Sequence, residues 1–262
     1  MEFEFYQINA FTKSYNGGNP AGVCPLDEWI DDELMQAIAK ENGLSETAFF
    51  VPNGNQYNLR WFTPGCEVDL CGHATLASAF VLSKIKGVRK SKLEFQTKSG
   101  LLNVGVKGDT FALDMPTNHY EEVDCPDCIV NALGKKPVQT FLADDYLAVF
   151  DDDDFIFNVA PDFSEIQKVN ARGTIITAES SQKDVDFVSR WFGGPDVGIN
   201  EDPVTGSAHC TLIPYWSDKL GKIEMNAIQC SSRGGELGCT LRGNRVEVSG
   251  EAVMYLQGMI TV

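Results

Sequence analysis

Cys71 to Phe80 (CGHATLASAF) and Glu201 to Trp216 (EDPVTGSAHCTLIPYW) lie far apart in the chain yet carry the same chemical device. Each sets polar side chains and a small, flexible turn directly before an apolar helical run. The first turn of a helix leaves backbone N–H groups without intrahelical partners and carries the positive end of the peptide dipoles. It therefore receives an anion without a basic side chain. Two such starts facing each other would grip a carboxylate. Local donors outweigh distant, screened charge, so a chain of formal net charge −16 can still serve a small acid.

The elements that must position these residues belong to a folded protein with a substantial core. The chain has 262 residues, 43% of them hydrophobic, and no Pro/Ser/Gln tract. Its acidic balance lacks the basic footprint that a nucleic-acid backbone or an anionic membrane requires, so neither partner is expected. The start, MEFEFYQINAF, is acidic where a secretory signal is basic, and the longest apolar run, Ala74 to Leu82, is too short to span a bilayer. A cytoplasmic location is the expectation.

Eight irregularly spaced cysteines without a secretory signal read as free thiols. Cys125-Pro-Asp-Cys128 is expected to lie in a loop. Cys66, Cys71 and His73 are close in sequence but do not complete four ligands, so no metal is expected. The run Asp151 to Asp154 lacks the alternation of a calcium loop and reads as a solvated turn. His209 and Cys210 are placed in the core of a helix, and His119 on the surface.

Periodicity gives a strand over Phe3 to Ala10, a turn at Asn16 to Pro20 and a helix carrying Leu34, Ala37 and Ile38. That helix is capped by Asp31 or Asp32 and stopped by Gly43. A strand over Ala48 to Val51 follows, then a helix from Cys71 to about Gly87 that is apolar nearly all round, as a fully buried helix is. LEFQT, LLNVGV and TFALDM read as strands. Strands around Gln139 to Phe150, Thr174 to Thr177 and Val185 to Trp191 precede a helix after Thr205 that ends near Gly221, and strands from Ala227 finish the chain. The organisation expected is α+β: two similar domains, 1–115 and 116–262, each a β-barrel-like sheet around a central helix, with the last strand able to cross to the first domain.

SETAF (Ser45 to Phe49), RWFTP (Arg60 to Pro64), DLCGHATLA (Asp69 to Ala77) and EDPVTGSAH (Glu201 to His209) together resemble the PhzF-like family of phenazine-biosynthesis isomerases. GNPAGV near the start and RGG at Arg233 to Gly235 fit the same pattern. The resemblance spans the chain in order. It implies the diaminopimelate-epimerase-like fold with the active site in the cleft between two domains, a homodimer, no cofactor and a small carboxylate substrate.

Carried over residue by residue, the resemblance makes Glu46 the general acid/base and His73 and Asp202 the other catalytic residues. Ser45, Gly72, Gly206 and Ser207 become substrate-binding positions. Diaminopimelate epimerases and proline racemases use two opposed cysteines; Cys71 resembles the first, whereas Val204 and Thr205 stand where the second belongs. That departure favours carboxylate-based isomerisation and makes Cys71 a packed residue. Two alternatives stay open: an amino-acid epimerase or racemase, and a non-catalytic small-acid-binding dimer.

Overall fold

A computed structural model describes residues 1–262. By internal contacts the chain divides into two units, Met1–Met115 with Val248–Val262, and Pro116–Glu247.

The first unit begins with β1 (Glu2–Ala10), β2 (Asn19–Pro25), α1 (Asp32–Asn42), β3 (Glu46–Asn53), β4 (Gln56–Phe62) and β5 (Glu67–Val68). It continues through α2 (Gly72–Phe80), β6 (Lys92–Thr97), β7 (Gly100–Lys107) and β8 (Thr110–Pro116). The second unit holds β9 (Glu121–Glu122), α3 (Asp127–Leu133), β10 (Gln139–Leu142), β11 (Tyr146–Val149), α4 (Asp153–Asn158) and α5 (Phe163–Ile166). There follow β12 (Gly173–Glu179), β13 (Phe187–Gly193), α6 (His209–Leu220), β14 (Glu224–Gln229), β15 (Gly235–Arg242) and β16 (Arg245–Gly250). The chain passes back to the first unit within β16, at Val248, and ends as β17 (Ala252–Thr261), antiparallel to β1.

Helix α2 packs against β1, β2, β3, β7 and β17. Such enclosure explains why Ala74, Leu76, Ala77 and Ala79 are all buried: a helix wrapped by strands has no face for water. The expected helix to Gly87 is corrected in detail. After Phe80 it widens into a π turn, Val81–Ile85, closed by Lys86 N–H on the Val81 carbonyl, and Gly87 turns out at φ +70°. Gly43 ends α1 in the left-handed conformation, as its position suggests, while Asp31 stands at the N-cap without a side-chain hydrogen bond.

Helix α6 plays the central part in the second unit. Trp216 Nε1 donates to Thr177 Oγ1 of β12 and its ring stacks on Phe187 of β13, while Tyr215 donates to Gln139 of β10. Pro214 lies within α6 and cannot donate to the Cys210 carbonyl. Asn118 N–H takes that acceptor at 3.0 Å, so the missing helical bond is replaced from a neighbouring segment.

Two short helices and one strand depart from the sequence reading. Asp151 to Asp154 is not a simple turn: Asp152 caps α4, its carboxylate accepting from Asp154 N–H. Cys125 and Cys128 straddle the start of α3 and pack, half-buried, against a core of Ile129, Phe150, Ile156 and Ile176. The strand placed at Val185 to Trp191 runs two residues later, as β13.

Candidate active site

Strands β2 and β3 run parallel with Ala21 opposite Glu46, which opens β3. Their approach depends on glycine. A Cβ at Gly22 would stand 2.8 Å from Thr47 Oγ1 and 3.0 Å from the Phe5 ring, and one at Gly18, where φ is +65°, would stand 2.2 Å from the Ala10 carbonyl oxygen. The GGNPAG segment thereby delivers Asn19 to the layer that holds Glu46.

Helix α2 starts one residue after Cys71, and its second residue is His73. The buried His73 ring meets three neighbours: Nε2 lies 3.2 Å from Glu46 Oε2, and Nδ1 lies 3.6 Å from Cys71 Sγ and 3.3 Å from the Asn19 amide nitrogen. The His73–Glu46 contact is at ion-pair distance but not aligned as a hydrogen bond, and both atoms are shielded from solvent. Glu46 keeps 20% of its side chain exposed against 6% for His73, so the carboxylate is the open end of the group. Ser45 and Gly72, half-buried, adjoin Glu46 and His73 in the chain.

Burial works against a charged His73, but Cys71 and Glu46 outweigh it and hold the imidazole well above its ordinary value of 6.5. Burial, reinforced by the Glu46 charge, pushes the Cys71 thiol up. The resulting state is an imidazolium beside a carboxylate: one group that can give a proton next to one that can take it.

Asp202, Gly206 and Ser207 gather in the second unit. Thr205 Oγ1 donates to Asp202 Oδ2 at 2.6 Å. Gln229 locks the loop, its Nε2 donating to the Asp202 carbonyl at 2.8 Å while its Oε1 accepts from Thr205 N–H at 2.8 Å. Gly235, the last residue of the RGG motif, leaves space for Val204: a Cβ there would lie 2.2 Å from Val204 Cγ2. Gly206 to Ala208 form a tight turn, with His209 N–H on the Gly206 carbonyl, so α6 starts at His209 rather than directly after Thr205. Ser207 Oγ accepts from Arg172 Nη1 at 2.9 Å, and that guanidinium is clamped by the buried Asp145 carboxylate. Arg190 likewise forks onto Glu201 at 2.7 and 3.0 Å.

Asn19, Gln229, Arg172, Asp145 and Arg190 are the residues that sequence reading missed. Two of them left a signal: Asn19 lies within GNPAGV, and Arg190 is an arginine inside the apolar run FVSRWF. The arginine of RWFTP is structural: Arg60 forks onto Asp32 and Glu67 and lies against Trp29 and Phe62. Cys66 is exposed in the turn before β5, apart from the His73 cluster, and His209 is fully buried with Nδ1–H donating to the Thr205 carbonyl at 2.9 Å.

The family described as phenazine biosynthesis-like protein (PhzC-PhzF) matches residues 8–258. The chain is 50% identical over 260 residues to an uncharacterized isomerase of Pseudomonas aeruginosa, covering 99% of each. A crystal structure of a PhzF-family phenazine biosynthesis protein from Enterococcus faecalis is similar with a TM-score of 0.97 at 42% identity, covering 100% of both chains. A hydroxyproline epimerase from Agrobacterium vitis, at 10% identity and a TM-score of 0.65 over 99% of this chain and 92% of its own, shares the fold alone. The architecture is therefore the α+β, diaminopimelate-epimerase-like one. On the match along nearly its whole length, the chain belongs to the phenazine biosynthesis-like PhzC-PhzF family.

Proposed function

We propose that the protein is a cofactor-independent isomerase that moves a carbon-bound proton in a small carboxylate. The observation that carries this reading is the 3.2 Å contact between His73 Nε2 and Glu46 Oε2 in a largely buried setting. Glu46 takes the proton from a carbon made acidic by an adjacent carboxylate or double bond and returns it to another carbon, so that the double bond shifts. His73, holding its own proton beside Glu46, steadies the carboxylate and the negative charge that develops on the substrate. Asp202 assists, and Ser45, Gly72, Gly206 and Ser207 bind the substrate through amides and hydroxyls. The naming of a 50% identical relative as an isomerase supports the reaction class. The protein acts in the cytoplasm as a homodimer.

Proton NMR in D2O with a panel of small unsaturated and amino carboxylates tests this. Wild type should place deuterium on carbon and shift a double bond, and Glu46→Gln should lower the rate by about 10²-fold or more. Exchange that survives in Glu46→Gln removes Glu46 as the base. Inversion at one carbon without a shifted double bond replaces isomerisation by epimerisation. Ligand binding without exchange turns the protein into an acid-binding one.

A further inference from the structure

The three side chains around the imidazole also form a set of metal donors. A carboxylate oxygen of Glu46, the sulfur of Cys71 and a ring nitrogen of His73 all lie within 4.8 Å of one another, and no other such group is assembled from His, Cys, Asp and Glu in the chain. Zinc binds sulfur at about 2.3 Å and nitrogen or oxygen at about 2.1 Å, so tetrahedral geometry separates its donors by about 3.4 to 3.6 Å. The imidazole already stands 3.2 Å from the oxygen and 3.6 Å from the sulfur. These contacts use different ring nitrogens, so a cation seated at Nε2 beside Glu46 requires the Cys71 side chain to turn toward it from Nδ1. Glu46 Oε2 and His73 Nε2 are buried without an aligned hydrogen bond, and a bound cation would satisfy both. The residual exposure of Glu46 provides an entry path.

We propose that Glu46, Cys71 and His73 bind a soft divalent cation, Zn2+ above all, as a reversible inhibitor. Three protein ligands hold the ion and a water takes the fourth position. Binding forms metal–sulfur, metal–nitrogen and metal–oxygen bonds and releases the thiol and imidazolium protons to solvent, with no change of oxidation state. An ion held there occupies the pair that would exchange the substrate proton, so cation and turnover exclude each other. The inhibitory consequence rests on the proposed isomerase reading; the binding itself does not.

Cobalt(II) is the probe. Titrated into the full, reduced chain, it should give a thiolate-to-cobalt charge-transfer band that saturates at one ion per chain and is displaced by Zn2+. Cys71→Ser should lose the band, Glu46→Gln and His73→Gln should weaken binding about tenfold or more, and Cys125→Ser with Cys128→Ser should leave it intact. No band in wild type, a band that survives in Cys71→Ser, or one lost with Cys125 and Cys128 overturns the proposal. Should Cys71→Ser lose its native circular dichroism, unchanged affinity in Glu46→Gln overturns it instead. The readout needs no substrate, so a missing band leaves the proton-transfer reading standing, and missing isotope exchange leaves the cobalt result untouched.

Discussion

Cys71 Sγ and Glu46 Oε2 sit at opposite nitrogens of one ring, 3.6 Å from His73 Nδ1 and 3.2 Å from His73 Nε2. The charge of the imidazole is thus set by its two neighbours rather than by solvent. Glu46→Gln removes one of the two partners and leaves burial opposed by Cys71 alone, so the His73 pKa should fall, read by NMR titration of the ring. A value that stays high would show that Glu46 does not hold the charge.

The same shift has a sign for stability. A histidine whose folded pKa lies above its unfolded one stabilises the fold fully below the unfolded value, and loses that contribution as pH rises through the folded value. The stability difference between wild type and His73→Asn should shrink as pH is raised, measured by urea unfolding across a pH series.

His209 works in the opposite sense. Full burial holds its imidazole down to about 4, the hydrogen bond to the Thr205 carbonyl offsetting only part of that effect. Between about 6.5 and 4 the unfolded chain binds the proton and the folded chain does not, so stability falls as pH falls through that window. The loss approaches about 3 kcal/mol, from about 1.4 kcal/mol for each pH unit separating the two pKa values. His209→Asn should show a shallower fall over this window in urea denaturation, and an equal slope in both proteins would exclude His209 as the cause.

Gly235→Ala should destabilise by about 1–3 kcal/mol, because its Cβ would fall 2.2 Å from Val204 Cγ2 in a buried contact. Val204 is two residues from Asp202, so the loop that carries Asp202 should loosen as well. Thermal unfolding gives the first effect, and hydrogen exchange at Thr205 N–H, now held by Gln229, gives the second.

Strand β17 exposes Met254, Tyr255, Leu256 and Met259, and no charged residue occurs from Ala252 to Val262 in a chain that is 22% charged. An uncharged apolar strip in so acidic a protein suits a second copy of itself, where repulsion would otherwise oppose contact. Light scattering should give twice the chain mass of 28.8 kDa, and Leu256→Glu with Met259→Glu should return it to one. A wild-type monomer would remove this surface as the interface.

Sequence alone determined the α+β character and the two buried helices, because hydrophobic periodicity and glycine punctuation are local signals. CGHATLASAF reads as an enclosed helix, and Gly43 and Gly221 as helix stops, a role both fill in the left-handed conformation. The motifs SETAF, CGHAT and EDPVTGSAH also singled out Glu46, His73 and Asp202. What tertiary structure decided is which residues touch them. Glu46 and Cys71 meet the same imidazole only because β2 and β3 pair in parallel beside the start of α2. Gln229 braces the Asp202 loop from a strand that follows α6, and Asp145 clamps Arg172 from the β10–β11 turn. Short helices α3 to α5 escaped notice because four to seven residues carry too few turns for periodicity to register. Contacts of this kind arise from long-range pairing, where spacing along the chain carries no record of which side chains will meet.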